Sequence, residues 1–153
     1  MKTRMDYRKV APEGYRAFGA VHRYIGQCGL EESLVHLTYL RISQINGCAY
    51  CVDLHFRDAL KCGVEARKIN AVAAWREMPF FSPRERAAFG WAESLTHVST
   101  TGAPDADYEA LKPHFSDKEI ADLTFAVALM NGLNRMGVGF RLAPALEHPK
   151  AAE

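Results

Sequence analysis

The chain has 153 residues, 48% of them hydrophobic and 24% charged, with a formal net charge of +1. That length encloses one hydrophobic core without disulfide or metal staples, and a near-neutral charge gives a phosphate backbone nothing to hold, so one domain with no nucleic-acid partner is expected. The charged opening stretch has no apolar signal core and no later stretch approaches the roughly 20 apolar residues of a membrane span, so the expectation is a cytoplasmic protein without a membrane partner.

Pro12 opens a predicted helix over residues 12–26, where Tyr15, Phe18, Val21 and Ile25 recur at steps of three or four before Cys28-Gly29 breaks the run. Glu31-Glu32 supply the negative charge a helix N-terminus favours, and Leu34, Leu37, Ile42 and Ile45 carry a second helix to a stop at Asn46-Gly47. A third begins at Cys48 and meets no breaker before Gly63. Residues 64–75 are alanine-rich and helix-favouring, ending before Pro79. Ser82-Pro83-Arg84-Glu85 joins a capping box to a proline at the first helical position and opens a helix to about Val98. After a Ser/Thr/Gly loop, residues 105–112 form a short helix. A second capping box, Ser116-Asp117-Lys118-Glu119, then starts a long one through Leu123, Val127, Met130 and Leu133 to about Phe140, and the tail from Pro144 is expected to fray. No period-two run of β-branched residues, internal repeat, low-complexity segment or linker interrupts the pattern. The expected architecture is an all-α, single-domain bundle of six to seven helices over residues 1–153, with no sheet.

The chemistry concentrates in Cys48-x-x-Cys51-x-x-x-His55 at the opening of the third helix. At about 100° of rotation per residue the three side chains share one face. Cysteines three apart on a helix have Cα atoms about 5 Å apart, inside the disulfide window, and His55 stands one turn beyond Cys51. One thiol can attack and the other resolve. A helix N-terminus and a neighbouring imidazole both favour the thiolate, which makes His55 a candidate base for Cys51. Two bland readings stand beside this one. The cysteines serve as small buried hydrophobes with His55 a satisfied histidine, or the three bind zinc, although no second C-x-x-C or H-x-x-x-H provides a fourth ligand.

Gly47-Cys48-Ala49-Tyr50-Cys51-Val52-Asp53-Leu54-His55, with Leu40-Arg41-Ile42-Ser43-Gln44-Ile45-Asn46 before it, resembles the core signature of the alkyl hydroperoxidase D-like branch of the carboxymuconolactone decarboxylase superfamily. The likeness runs on through Ala73-Ala74-Trp75-Arg76 and Phe80-Phe81-Ser82 to Asn131-Gly132-Leu133-Asn134-Arg135, covering about residues 15 to 141. It implies an all-helical homo-oligomer, a trimer or hexamer, with peroxidase and disulfide reductase activity. It also implies that Cys51 is the peroxidatic cysteine, Cys48 the resolving cysteine and His55 the activating histidine. The family's proton relay adds a glutamate twelve residues before the first cysteine and a histidine just before the second; those positions here hold His36 and Tyr50. An imidazole and a phenol can still pass or donate a proton, while the plain alternatives are a core-helix histidine and a packing aromatic.

The expected activity is thus a thiol-dependent hydroperoxide reductase that cycles a Cys48–Cys51 disulfide. Its partners would be a hydroperoxide and an external dithiol or disulfide reductase, and no bound cofactor is required, since no Gly-rich phosphate loop is present. The rivals are a redox sensor or disulfide oxidoreductase with little turnover, decarboxylase chemistry, which has no evident use for a dithiol, and zinc binding. Cys28 and Cys62 read as packed thiols. His22, His97, His114 and His148 stand without ligand spacing, while Trp75, Trp91, Phe80, Phe81, Met130 and Met136 read as core or subunit contacts.

Overall fold

Prolines, capping boxes and one glycine stop set the course of the chain in the computed structural model, which describes residues 2–144. The expected fraying of the tail beyond Pro144, and His148 within it, lie outside those residues. The helices are α1 (Tyr7–Val10), α2 (Pro12–Ile25), α3 (Glu32–Asn46), α4 (Ala49–Lys61), α5 (Ala66–Asn70), α6 (Pro83–Thr96), α7 (Val98–Thr101), α8 (Asp105–Glu109) and α9 (Asp117–Phe140), and α5 runs into a 3-10 turn at Ala71–Ala74. Among the described residues there is no strand, so the chain is an all-α domain, as expected. The seven expected helical segments are all present, the alanine-rich one divided between α5 and its 3-10 turn, and α1 and α7 add single turns that periodicity cannot reveal. Both capping boxes form: Ser82 and Ser116 each accept from the backbone N–H three residues on, and Glu85 and Glu119 each reach back to the cap's own N–H.

Helix α3 is the axis of the bundle. Its sequence suggests a stripe, but Leu34, Val35, Leu37, Thr38, Tyr39, Leu40, Ile42 and Ser43 are all buried, because α4, α6 and α9 pack around it. One apolar cluster joins Ile25, Tyr39, Ile42, Trp91, Leu123 and Val127; the other joins Leu37, Leu40, Ile69, Val72, Trp75 and Phe89. Trp75 and Trp91 are therefore core side chains, and their indole N–H groups donate to Glu93 and Thr124. Helix α2 differs from its expected pattern. Ile25 is buried, whereas Tyr15 and Val21 stay exposed, since α2 lies on the outside of α9.

The polar tie between α3 and α9 is Asn134, which is fully buried. Its amide N–H donates to Ser43 Oγ at 3.0 Å, and its carbonyl accepts from Asn46 Nδ2 at 3.0 Å. Removing it leaves buried Ser43 without its amide donor, while half-buried Asn46 keeps only its bond to Asn131, and an unmet buried polar group costs more than a made bond contributes. Asn134→Ala is therefore expected to destabilise the protein by about 2–3 kcal/mol in chemical denaturation, against less than about 1 kcal/mol if the amides only filled space.

Candidate active site at the start of α4

The site begins with a turn. Gly47 ends α3 with φ +67° and ψ +30°, a left-handed conformation that costs glycine little, and Cys48 N–H reaches back to Ser43 C=O at 3.0 Å. Cys48 is thereby delivered as the N-cap of α4 in extended conformation, and its carbonyl accepts the first helical bond from Val52 N–H. Cys51 lies in the first turn, where backbone N–H groups lack helical acceptors and favour negative charge. The two sulfurs are joined in a disulfide with Cα atoms 5.4 Å apart, and both cysteines are buried.

Gly137, in the last turn of α9, lies against this pair. A Cβ there would stand 2.7 Å from Cys48 Sγ and 3.6 Å from Cys51 Sγ. The two cysteines differ in what they face. Cys51, Tyr50 and His55 line a cavity of about 240 Å³, whereas Cys48 is not among its lining residues. Most of the rest is aromatic and apolar, with Tyr7 and Tyr15 from α1 and α2, Phe18 from α2, and Met130 and Leu133 from α9, while Arg8 and His22 add polar groups. Helix α1 is held there by Tyr7, whose ring packs at a tilt against Phe140 with centroids 5.1 Å apart.

His55 is buried in the α3–α4 seam. Its Nδ1 lies 3.3 Å from Nδ1 of His36, the two rings are stacked, and the Tyr39 ring is 5.0 Å away, centroid to centroid. Burial holds the His55 pKa down to about 3; the facing His36 adds to that and Asp58 opposes it. Burial also lowers His36, whose Nε2 turns outward to within 3.7 Å of Glu32. The structure thus brings Cys48, Cys51, His55, His36 and Tyr50 into one region.

Sequence reasoning missed several neighbours. Tyr39, whose ring packs beside His55, is not among the candidate residues, and His22, which stands without ligand spacing in the sequence, lines the same cavity as Cys51 and His55. Gly137 carries a signal that could have been used, because a glycine inside a long helix costs about 1 kcal/mol and implies a close approach. Cys28 is a packed thiol as expected, donating to Ile25 C=O. His97 is exposed and His114 half-buried. Donor atoms that converge enough for a cation belong to Glu32, His36 and Cys62 and to His36, His55 and Asp58, each set within 4.8 Å.

An all-helical domain with a buried C-x-x-C at a helix N-terminus and a histidine one turn on defines a class of dithiol proteins. Residues 12–94 match the model of the carboxymuconolactone decarboxylase family. The chain belongs to that family, in its alkyl hydroperoxidase D-like branch. It is 33% identical over 138 residues to the uncharacterized protein YdfG of Bacillus subtilis (strain 168), covering 90% of this chain and 94% of the relative. A crystal structure of an Agrobacterium tumefaciens protein of unknown function, described in connection with the antioxidant defence protein AhpD, superposes with a TM-score of 0.93 at 43% identity. It covers 95% of this chain and 100% of its own. An uncharacterized peroxidase-related protein from Ralstonia eutropha JMP134 gives a TM-score of 0.81 at 26% identity, covering 91% and 74%.

Two outcomes follow from this geometry. Gly137→Ala should cost about 1–3 kcal/mol through overpacking, and distinctly less in a Cys48→Ala background, a coupling that a double-mutant cycle measures. Equal costs in the two backgrounds would mean that α9 does not bear on the sulfur. The second outcome concerns acid. An unfolded histidine near its ordinary pKa of 6.5 takes up a proton that folded His55 refuses down to about pH 3. Stability is thus full above that ordinary value and lost as pH falls toward the folded one, with a slope of up to about 1.4 kcal/mol per pH unit for one proton. Denaturation midpoints of His55→Gln should fall less steeply between pH 7 and pH 4 than those of the parent.

Proposed function

We propose that the protein is a thiol-dependent hydroperoxide reductase in which Cys51 is the attacking thiol, Cys48 the resolving thiol and His55 the proton acceptor. One observation carries the assignment: Cys51 and His55 face the cavity, while Cys48 lies behind Cys51 against Gly137. In the reduced state Cys51 gives its proton to His55 and attacks the terminal oxygen of the hydroperoxide. The O–O bond breaks as the S–O bond forms. The departing alkoxide takes the proton from His55 and leaves as an alcohol, and Cys51 is left as sulfenic acid. Cys48 then displaces water from that sulfur to close the disulfide. An external dithiol, or a disulfide reductase, returns the pair to thiols by exchange and leaves as its own disulfide.

The low pKa of His55 belongs to the disulfide state, in which no thiolate balances an imidazolium. A Cys51 thiolate one helical turn away supplies that charge, so thiol and imidazole change protonation together. His36, 3.3 Å away, is placed to share the proton, and Tyr50 lines the cavity beside Cys51 as a donor to the leaving oxygen. Exposed Tyr15, Val21, Tyr24, Phe125 and Val138 provide apolar surface on α2 and α9 for a homo-oligomer, and a cytoplasmic setting suits recycling by dithiols.

The second reading, a redox sensor, is favoured by His36 itself, since it presents no fixed negative charge to hold His55 protonated. Hydroperoxide consumption with excess dithiol separates the two. The parent should turn over many times, Cys51→Ser should lose even the first oxidation, and Cys48→Ser should complete one oxidation and then stop. A single oxidation in the parent would sink the peroxidase reading and leave the sensor.

A further inference from the structure

The seam between α3 and α4 continues outward past His55, and beside His36 its far end holds Glu32 and Cys62, which the thiol chemistry leaves idle. Glu32 and His36 stand one turn apart at the start of α3, and Cys62 is the C-cap of α4, so the antiparallel pairing of the two helices brings the three together. A carboxylate oxygen, a ring nitrogen and Sγ all lie within 4.8 Å of one another.

We propose that Glu32, His36 and Cys62 form a three-ligand site for a borderline-soft divalent cation of the zinc type, with water in the remaining position. Carboxylate, imidazole and thiolate are each zinc donors, and the mixture excludes the all-oxygen preference of magnesium and calcium. Bonds of about 2.0–2.3 Å around a tetrahedral ion ask for donors about 3.5 Å apart. Glu32 and His36 Nε2 already stand 3.7 Å apart, and the Glu32 side chain is 80% exposed and free to turn. His36 is also held as a metal-binding histidine usually is, with its second nitrogen facing a partner, here His55 Nδ1 at 3.3 Å. The competing set of His36, His55 and Asp58 is less suited, because His55 is buried and the Asp58 carboxylate is engaged by Lys61 at 2.6 Å. A cavity lined by Glu32 and His36 opens the site to solvent. The inference leaves the proposed roles of Cys51, Cys48 and His55 untouched, but it replaces proton sharing by His36, since a cation on Nε2 holds the His36 proton on Nδ1 facing His55.

The test uses cobalt(II) and zinc(II) on the full chain carrying Cys48→Ser and Cys51→Ser, so that the thiol pair cannot serve as ligand. One cobalt(II) per chain should bind with a thiolate-to-metal charge-transfer band, and adding Cys62→Ser should abolish the band. Glu32→Gln, at an exposed position, should weaken zinc binding about tenfold or more in competition with a chromogenic chelator while circular dichroism stays unchanged. Absence of the band in the double-serine protein, or its survival after Cys62→Ser, overturns the proposal. So does metal binding that requires Cys48 and Cys51, which would place the ion at the thiol pair instead.

Discussion

The turn between α3 and α4 is the constraint on which the rest of the site depends. Only Gly47 and Cys48 separate the two helices, and Gly47 takes up the reversal in a left-handed conformation where a side chain would be strained. So short a connection leaves the helices antiparallel and in fixed register. Going outward from the turn, the disulfide comes first, then His55 beside Tyr39 and His36, and finally Cys62 beside Glu32. A different loop length would slide this whole series. The turn also exposes the N-terminal amides of α4 at Cys51, so one backbone event sets both the electrostatics of the thiol and the identity of its neighbours.

The neighbour that matters most for chemistry is another histidine. Two imidazoles stacked in a buried seam cannot both carry charge cheaply, and burial already opposes the first proton on His55. A carboxylate in place of His36 would favour the charged form of His55, whereas an imidazole gives it no fixed counter-ion. Asp58 gives an imidazolium here some support but does not outweigh burial, so further stabilising charge has to come from the chemistry itself, through the thiolate. This couples the protonation of His55 to the redox state of the pair: an ion pair suits the reduced form, and a neutral imidazole the disulfide.

Much of this was legible in the sequence because the signals are local. The capping boxes at Ser82 and Ser116, proline at Pro12 and Pro83, and the glycine at Gly47 each act within one turn, so helix boundaries and the placement of the cysteines follow from them. What could not be read depends on contacts between distant segments. Burial of α3 on all sides reflects three helices that pack around it, and its sequence carries Thr38, Ser43 and His36 where an all-apolar core helix would have announced itself. His22, Tyr39 and Gly137 join the thiol region from α2, α3 and α9, and none stands near the cysteines in the chain. Cys62 read as a packed thiol because its companions, Glu32 and His36, are some thirty residues earlier.

The shape of the cavity adds a further constraint on any reaction at Cys51. Its walls are largely aromatic and aliphatic, and Met130 and Leu133 arrive from the same helix whose Gly137 meets the sulfurs. Asn134, one turn beyond Met130 and one before Gly137, shares their side of the helix, donates to Met130 Sδ at 3.4 Å and is locked to Ser43 and Asn46 near the end of α3. Helix α9 is thus fixed in rotation by a polar contact on the same side that sets how closely the cavity fits the thiol. Rotation of α9 about its axis would break the asparagine bonds and bring bulk toward the disulfide at once. Precision at the sulfur is in this way secured by side-chain hydrogen bonds that involve neither sulfur.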